Sequence, residues 1–348
     1  MTVPRIIRIL VVDDSETARR LVVRTLESQP DMKVVAQARD GAEAVSFTRD
    51  LRPDVITMDV RMPTLDGLKA TEQIMAQFPT PIVIVSSSVE APDLQITFNA
   101  LRMGALDVIE KPHVMDTPAF ESIRRTLIDR VRAMSEVSVV RRRSSAAASQ
   151  PVVQVRRAFH LVAIGASTGG PQLLGEIFSK LPATFASPIV VVQHMAPGFT
   201  EGFARWLSGE TTLAVKMAED GESLVPSTIY IAPDKKHLRV TQRWRVALGD
   251  DPPVGQFQPS VDVLFESVAR HAASSSVGLL LTGMGSDGAK GLLALRLAGG
   301  LTIAQDSESC VVPGMPDTAR EIDAVEQTLA PSVIPTVLRA LVDRAGAG

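Results

Sequence analysis

The chain has 348 residues, of which 45% are hydrophobic and 22% are charged, and its formal net charge is −3. A single hydrophobic core rarely grows beyond about 250 to 300 residues, so the length predicts two globular domains. The small negative charge excludes a global basic field for nucleic acid, and no apolar run approaches the roughly 18 to 20 residues that cross a bilayer.

The cysteine content and the first residues indicate where the protein resides. Cys310 is the only cysteine, so an intrachain disulfide is excluded. Residues 1–9 lack the long apolar core of a signal peptide. We therefore expect a cytoplasmic protein that binds no nucleic acid and does not insert into a membrane.

The first 134 residues alternate short apolar runs with amphipathic stretches. The apolar runs predict buried strands at residues 6–12, 33–38, 55–58, 81–85 and 107–109. The amphipathic stretches predict helices near residues 15–28, 41–51, 67–77, 93–103 and 118–134. Five such β-α units predict a parallel, doubly wound sheet of the flavodoxin-like (βα)5 type.

Acidic residues follow two of these predicted strands, at the edge where a parallel sheet collects ligands. Asp13 and Asp14 follow the first strand, and Asp59 follows the third. Three converging carboxylates repel one another, unless a hard cation such as Mg²⁺ takes their oxygens as ligands. Ser86 and Lys111 follow the fourth and fifth strands, where a hydroxyl and an ammonium can bind a phosphoryl group on Asp59. As the alternative, each acid caps the helix that follows it.

These residues stand in motifs that resemble the receiver domain of response regulators, over about residues 5–130. The motifs are VVDDS (residues 11–15), MDVRMP (58–63), DG (66–67) and EKP (110–112). The resemblance implies that Asp59 accepts a phosphoryl group from a histidine kinase. It implies Ser86, with the adjacent Ser87 as the alternative, as the switch hydroxyl beside Lys111. The implied Mg²⁺ ligands are Asp13, Asp14, Asp59 and the backbone carbonyl of Arg61.

Residues 135–157 lose the apolar periodicity and predict a linker between domains at residues 1–134 and 158–348. Arg141, Arg142 and Arg143 lie in this segment, before a run of serines and alanines. The arginines either belong to a solvated spacer, as short charge runs usually do, or bind an acidic surface.

Residues 158–348 repeat the α/β alternation. Buried strands are predicted at residues 161–164, 189–192 and 277–281, each before a turn and a helix-like stretch. Shorter runs at residues 228–232, 238–240 and 243–247, interrupted by Pro233, Asp234 and Lys235, predict a β-hairpin excursion. We therefore expect a second doubly wound domain, Rossmann-like, with a hairpin outside its main sheet.

The strand-end rule also brings a serine, a histidine and an aspartate together in this half. Ser167 follows the first strand in a glycine-rich turn, near a predicted helix N-terminus. His194 follows the second strand, and Asp287 lies in a glycine-rich loop after the third. In this arrangement His194 takes the hydroxyl proton of Ser167, and Asp287 orients the imidazole. Backbone N–H groups near Met284 or Thr168 bind the oxyanion.

Other interpretations of these residues stay open from their pattern alone. Ser167 and Asp287 could each cap a helix, and the turn at residues 165–170 could hold a dinucleotide phosphate, although it lacks a full GxGxxG pattern. The four other histidines do not end a core strand as His194 does. Cys310 has no flanking glycines and is expected to be an inert, small apolar residue.

The second half, over about residues 158–341, resembles the catalytic domain of chemotaxis protein-glutamate methylesterases. The motifs are GASTGGP (residues 165–171), QHM (193–195), PSVDVLF (259–265), TGMGSDG (282–288) and GMP (314–316). The resemblance implies hydrolysis of γ-glutamyl methyl esters on methyl-accepting chemoreceptors to glutamate and methanol, and deamidation of particular receptor glutamines. We expect no cofactor for the esterase. The chain departs from the family pattern at residues 256–258, where a basic or histidine residue is usual.

A receiver joined to a hydrolase predicts a phosphorylation-activated enzyme, which we expect to be a monomer with a chemotaxis histidine kinase as its phosphodonor. The simplest hypothesis for control is that the unphosphorylated receiver covers the Ser167 site and that phosphorylation of Asp59 loosens it. One alternative is a paralogue that acts on receptors outside chemotaxis. Another is a non-enzymatic response regulator whose second domain binds a partner.

Overall fold

The computed structural model describes residues 5–86, 91–112, 118–137 and 159–342. The chain forms two compact units, Met1–Ser145 and Ala146–Gly348. Each unit is built on a parallel sheet with alternating helices, so the predicted fold class is confirmed. Beyond Val137 the predicted linker lies outside the described residues, and the domain boundaries stay a prediction.

A five-stranded sheet forms the first unit. Its strands are β1 Ile7–Val12, β2 Met32–Ala38, β3 Val55–Met58, β4 Ile82–Ser86 and β5 Asp107–Glu110. Its helices are α1 Glu16–Glu27, α2 Gly41–Leu51, α3 Gly67–Gln77, α4 Ala91–Arg102 and α5 Pro118–Ser135. The strands pair in parallel in the order β2-β1-β3-β4-β5. The chain therefore changes direction across the sheet between β1 and β3, which is the topological switch point.

Local sequence explains how this sheet edge is built. Every residue of β3 and β4 is buried, as expected for inner strands of a parallel sheet, and their sequences are nearly continuous apolar runs. The Asp66 carboxylate accepts the N–H of Lys69 at 2.8 Å and caps α3. A Cβ on Gly67 would lie 2.0 Å from the carbonyl oxygen of Asp59, so only glycine fits there. This close approach packs α3 directly against the loop that carries Asp59.

A seven-stranded parallel sheet and a separate two-stranded sheet form the second unit. The strands are β6 Leu161–Ala166, β7 Ile189–Gln193, β8 Ala214–Met217, β9 Thr228–Ile231, β10 His237–Thr241, β11 Arg245–Gly249, β12 Ser276–Leu280, β13 Leu301–Gln305 and β14 Gln327–Leu329. The helices are α6 Gly170–Phe178, α7 Thr200–Ser208, α8 Val261–His271, α9 Ala289–Leu297, α10 Gly314–Glu321 and α11 Ile334–Val342. The main sheet has the order β14-β13-β12-β6-β7-β9-β8, with its switch point between β6 and β12.

The hairpin excursion consists of β10 and β11, which pair antiparallel outside the main sheet. The hairpin packs on α8, where the N–H of Val240 donates to Oγ of Ser267 at 2.9 Å. The neighbouring run at residues 228–232, grouped with the hairpin on sequence, is instead β9 of the main sheet and pairs parallel with β7 and β8. Its four residues are all buried, as an inner parallel strand requires.

Three strands of the main sheet, β8, β13 and β14, are not predicted by the apolar pattern. The strand β14 has only three residues, and β8 is partly exposed and carries Lys216. Within the described ranges, the structure contains no helix that is long and apolar enough to span a membrane.

Candidate active sites at the two sheet edges

The carboxylate cluster of the first unit lies at its switch point. Asp13 and Asp14 follow β1, and Asp59 follows the neighbouring strand β3. Carboxylate oxygens of the three residues all lie within 4.8 Å of one another, with Asp13 and Asp59 buried and Asp14 exposed. An oxygen-only donor set that is open to solvent on one side suits a hard divalent cation such as Mg²⁺. The structure thus brings together the three acids predicted as ligands, and Arg61 lies two residues beyond Asp59.

Lys111 contacts two of these acids. Its Nζ lies 2.8 Å from Oδ2 of Asp13 and 2.9 Å from Oδ2 of Asp59. Burial lowers the pKa of Lys111, but the charges of Asp59 and Asp13 outweigh burial and raise the pKa above its usual value. Burial raises the pKa of Asp59, and the ammonium of Lys111 opposes that effect. Lys111 is therefore held as a cation that offsets the repulsion between the two carboxylates.

The predicted switch hydroxyl lies at the same edge of the sheet. Ser86 ends β4 and is buried, and its carbonyl oxygen accepts the backbone N–H of Lys111 at 2.8 Å. The alternative residue, Ser87, lies outside the described residues. Helix capping does not account for the acids, because Ser15 caps α1 and Asp66 caps α3.

The second constellation lies at the switch point of the seven-stranded sheet. Ser167 and His194 follow β6 and β7, and Asp287 lies in the loop between β12 and α9. These three strands are adjacent, in the order β12-β6-β7. The N–H of Ser167 donates to the carbonyl of Thr282 at 3.0 Å, and the N–H of His194 donates to the carbonyl of Ala166 at 2.9 Å. Ser167, His194 and Asp287 are all buried and lie at the same edge of the sheet.

Asp287 is held in place by several donors. Its Oδ2 lies 2.9 Å from Nε2 of His194. The hydroxyl of Ser260 donates to Oδ1 at 2.7 Å, and the N–H of Val261 donates to Oδ2 at 2.7 Å. Burial alone would raise the pKa of Asp287, but His194 and these donors lower the pKa below its usual value. The carboxylate is therefore ionised and oriented toward the imidazole.

Neither Ser167 nor Asp287 is the N-cap of the helix that follows it. The N-cap of α6 is Gly169 and that of α9 is Gly288, and neither makes a side-chain cap bond. Asp287 instead accepts N–H groups from the first turn of α8, a helix distant in sequence, while it faces His194. Its acidic charge suits that helix N-terminus, which adds to its ionisation.

Gln193 connects the serine and histidine loops. Its Nε2 donates to the carbonyl of Ser167 and to the carbonyl of His194, both at 2.8 Å. A Cβ on Gly170 would lie 2.1 Å from Oε1 of Gln193, so a side chain at residue 170 would displace this amide. Gln193 belongs to the QHM motif, but the motif does not predict this bridging contact, which depends on two strands being adjacent.

The glycine-rich loop after β12 packs directly on Ser167. A Cβ on Gly283 would lie 2.7 Å from Cβ of Ser167. The Thr282 hydroxyl donates to the carbonyl of Thr168 at 2.9 Å, which ties the two loops together. The predicted oxyanion donors are the next residues along these loops: Thr168 follows Ser167, and Met284 follows Gly283.

Comparison with known proteins shows to which family the chain belongs. The model of the family described as CheB methylesterase matches residues 162–338, and that of the response regulator receiver domain matches residues 9–118. The chain belongs to the CheB methylesterase family. It is 46% identical to protein-glutamate methylesterase/protein-glutamine glutaminase 3 of Anaeromyxobacter dehalogenans, over 94% of this chain and 97% of the relative.

Two further comparisons agree with this membership. The chain is 47% identical to protein-glutamate methylesterase/protein-glutamine glutaminase 4 of Myxococcus xanthus, over 89% of this chain and 90% of that protein. The crystal structure of the Thermotoga maritima CheB methylesterase catalytic domain has 41% identity and a TM-score of 0.51, and it covers 53% of this chain and 100% of its own. Membership in this methylesterase family disfavours the alternative of a non-enzymatic output domain.

Three residues make contacts in this CheB-family site that the sequence does not predict. The ring of Phe257 stacks on His194 with centroids 4.1 Å apart and an interplanar angle of 6°. Ser260 donates to Asp287, and Nδ1 of the buried His237 accepts the N–H of Ser260 at 3.2 Å. The contacts of all three join segments that are far apart in sequence. Ser260 belongs to the PSVDVLF motif, but neither that motif nor any other local pattern predicts these contacts.

Cys310 is not a nucleophile candidate of this methylesterase family member. Burial, with the charge of Asp306 adding to it, raises the pKa of the thiol to about 12. Its Sγ donates to the carbonyl of Asp306 at 3.2 Å. A thiol that stays protonated at neutral pH matches the prediction of an inert residue.

Proposed function

We propose that this CheB-family protein is a phosphorylation-activated hydrolase that demethylates γ-glutamyl methyl esters on methyl-accepting chemoreceptors. Deamidation of receptor glutamines at the same site is part of the proposal, because its relatives are named methylesterase and glutaminase. The observation that carries the proposal is the contact of His194 with the ionised Asp287, at the switch point that also holds Ser167. The proposed setting is the cytoplasm, with a chemotaxis histidine kinase as phosphodonor.

The first half of the proposed reaction forms an acyl-enzyme. The Ser167 hydroxyl attacks the γ-carbonyl carbon of the ester while His194 takes its proton. Because Nε2 of His194 faces Asp287, Nδ1 is the ring nitrogen that takes the Ser167 proton in this proposal. Asp287 stabilises the imidazolium, which then protonates the departing methoxide to give methanol. A γ-glutamyl ester of Ser167 remains.

The second half returns the enzyme to its starting state. Water gives a proton to His194 and attacks the γ-glutamyl ester, and the bond to the Ser167 oxygen then breaks. The imidazolium returns its proton to that oxygen, and a receptor glutamate is released. In deamidation the same steps act on a glutamine, and ammonia leaves in place of methanol.

The backbone N–H groups of Thr168 and Met284 are assigned the role of binding the oxyanion in both steps. The support for this assignment is the packing of the two loops against each other at Ser167, where Gly283 leaves no room for a side chain. Loss of one such donor commonly costs about 10²- to 10³-fold in rate, so these loops matter for catalysis as well as for packing.

Phosphorylation is assigned to Asp59 in the first unit. Asp13, Asp14, Asp59 and the carbonyl of Arg61 would hold Mg²⁺, which neutralises phosphoryl oxygens when bound. The ammonium of Lys111, already 2.9 Å from Asp59, is placed to bind the phosphoryl group, with Ser86 as the hydroxyl donor.

The test of the proposed function is methanol release from methylated chemoreceptors of the same cell, with and without a small phosphodonor. Ser167→Ala should abolish methanol release and leave phosphorylation of Asp59 intact. Ser208→Ala, at an exposed site that ends α7, is the matched control and should retain full activity. Methanol release by Ser167→Ala at the wild-type rate would exclude Ser167 as the nucleophile. Activity on other receptors alone would favour the paralogue outside chemotaxis.

A further inference from the structure

The segment of residues 251–259, here called the strap, joins β11 to α8 and is anchored at both ends. Nε2 of His237 lies 3.1 Å from the carbonyl oxygen of Pro252 near its beginning. Near its end, Nε2 of Gln258 donates to the carbonyl of Asp251 at 2.7 Å. The strap is therefore closed on itself and tied to the hairpin strand β10.

The tip of the strap is a tight turn that presents one aromatic side chain. The backbones of Val254 and Phe257 bond each other twice, with both N–H groups donating to carbonyl oxygens at 3.1 Å. Gly255 has φ +62°, in the left-handed region that such a turn requires. Val254, Gly255 and Gln256 of the turn are exposed to solvent, whereas Phe257 is half-buried.

Phe257 lies against the imidazole and beside the loop of the assigned oxyanion donor. Its ring is parallel to that of His194, within 6°, at a centroid distance of 4.1 Å. Its Cζ lies 4.0 Å from the position of a Cβ on Gly285, the residue after Met284. The ring thus covers one face of the imidazole.

We propose that Phe257 is a positioning residue of the methylesterase reaction, because its ring fixes the plane of the His194 imidazole and stabilises the imidazolium formed during catalysis. The inference rests on the proposed function. The face of an aromatic ring carries partial negative charge and attracts a cation within about 6 Å of its centroid. In the proposed mechanism the imidazole gains a positive charge when it takes the Ser167 proton, so this attraction is stronger in the transition state than before proton transfer.

The strap and the residue that follows it contact both His194 and Asp287. Phe257 contacts His194, and Ser260, which follows the strap, donates to Asp287 at 2.7 Å. One continuous segment therefore sets the plane of the imidazole and the orientation of the carboxylate. A residue that only filled space could be replaced by an aliphatic side chain, whereas the proposed role needs a ring.

The experiment compares kcat and KM for methanol release by the phosphorylated full-length chain. Cation–π attraction of the usual size predicts that Phe257→Leu lowers kcat by about 2- to 30-fold, with KM nearly unchanged. Phe257→Tyr keeps a ring and should retain the wild-type kcat. Phe185→Leu is the matched control, because Phe185 is fully buried in the second unit outside the site, and its kcat should not change.

A second readout does not depend on activity. Ring protons of His194 lie over the face of Phe257, so their NMR signals carry a ring-current shift that Phe257→Leu should remove and Phe257→Tyr should preserve. Wild-type kcat in Phe257→Leu, or equal losses in the Leu and Tyr variants, would overturn the proposal. If Ser167→Ala stays active while the His194 signals shift as expected, the stack is real and the proposed nucleophile is wrong.

Discussion

Asp262 is a buried carboxylate beside the site, and its neutral replacement should stabilise the protein at neutral pH. Its Oδ1 accepts the N–H of Gly288 at 2.9 Å and the N–H of Gly291 at 2.7 Å. Burial raises the pKa of Asp262 from 3.8 to about 6, with the charge of Asp287 adding to that effect and the two N–H donors opposing it. Ionised Asp262 therefore costs stability in the folded state.

The raised pKa of Asp262 sets the direction in which stability changes with pH. Below about pH 4 the carboxyl is protonated in both the folded and the unfolded chain, and it costs nothing. Between about pH 4 and pH 6 the carboxyl ionises in the unfolded chain but stays largely protonated in the folded chain, so stability is lost across this range, and the loss levels off above about pH 6 at about 3 kcal/mol. Asparagine keeps the acceptor oxygen, but its buried amide N–H group costs about 1 to 2 kcal/mol. We expect Asp262→Asn to raise the free energy of unfolding by about 1 to 2 kcal/mol at pH 7, with no gain at pH 4.

Urea unfolding followed by tryptophan fluorescence measures this difference. The chain has two tryptophans, Trp206 and Trp244, and both belong to the second unit, so the signal reports on that unit. Glu321→Gln, at an exposed acid that ends α10, is the control and should change stability by less than about 0.5 kcal/mol. An Asp262→Asn variant that is less stable than the wild type at pH 7 would refute the reasoning.

Changes at three other places should separate the roles of the two units. Ser260→Ala removes the hydroxyl that donates to Asp287, and it should lower the free energy of unfolding by about 2 to 3 kcal/mol in urea and also lower kcat. Chelation of divalent cations should abolish phosphoryl incorporation at Asp59, read by mass spectrometry, while basal methanol release persists. A fragment of residues 156–348 should release methanol about 30- to 150-fold faster than the unphosphorylated full chain if a docking energy of about 2 to 3 kcal/mol covers the site. Equal rates would contradict that hypothesis.

The strand-end rule predicts much of both sites because a parallel sheet aligns the carboxyl ends of its strands. Asp13 and Asp59, or Ser167 and His194, are distant in sequence but follow adjacent strands. Their positions therefore depend only on locating β1, β3, β6 and β7, whose buried apolar runs are clear signals in the sequence. Asp287 is predicted in the same way, since it lies in the loop that follows β12.

The remaining features depend on contacts between distant segments, which no local sequence pattern predicts. The edge strand β8 is partly exposed, so its sequence AVKM lacks the apolar signal of β7 or β9. Phe257 lies in a proline-rich segment without periodicity, and its contact with His194 exists only because the strap folds back on the sheet edge. Ser260 is predictable as a helix cap, but its bond to Asp287 follows from the packing of α8 against the loop before α9.

Covalent labelling tests the central claim most directly, namely that Ser167, His194 and Asp287 act as one relay. A fluorophosphonate should react with Ser167, identified by peptide mass spectrometry, and labelling should be lost in His194→Ala and strongly slowed in Asp287→Asn. Labelling of a different serine, or unchanged labelling of Ser167 without the imidazole, would contradict the account.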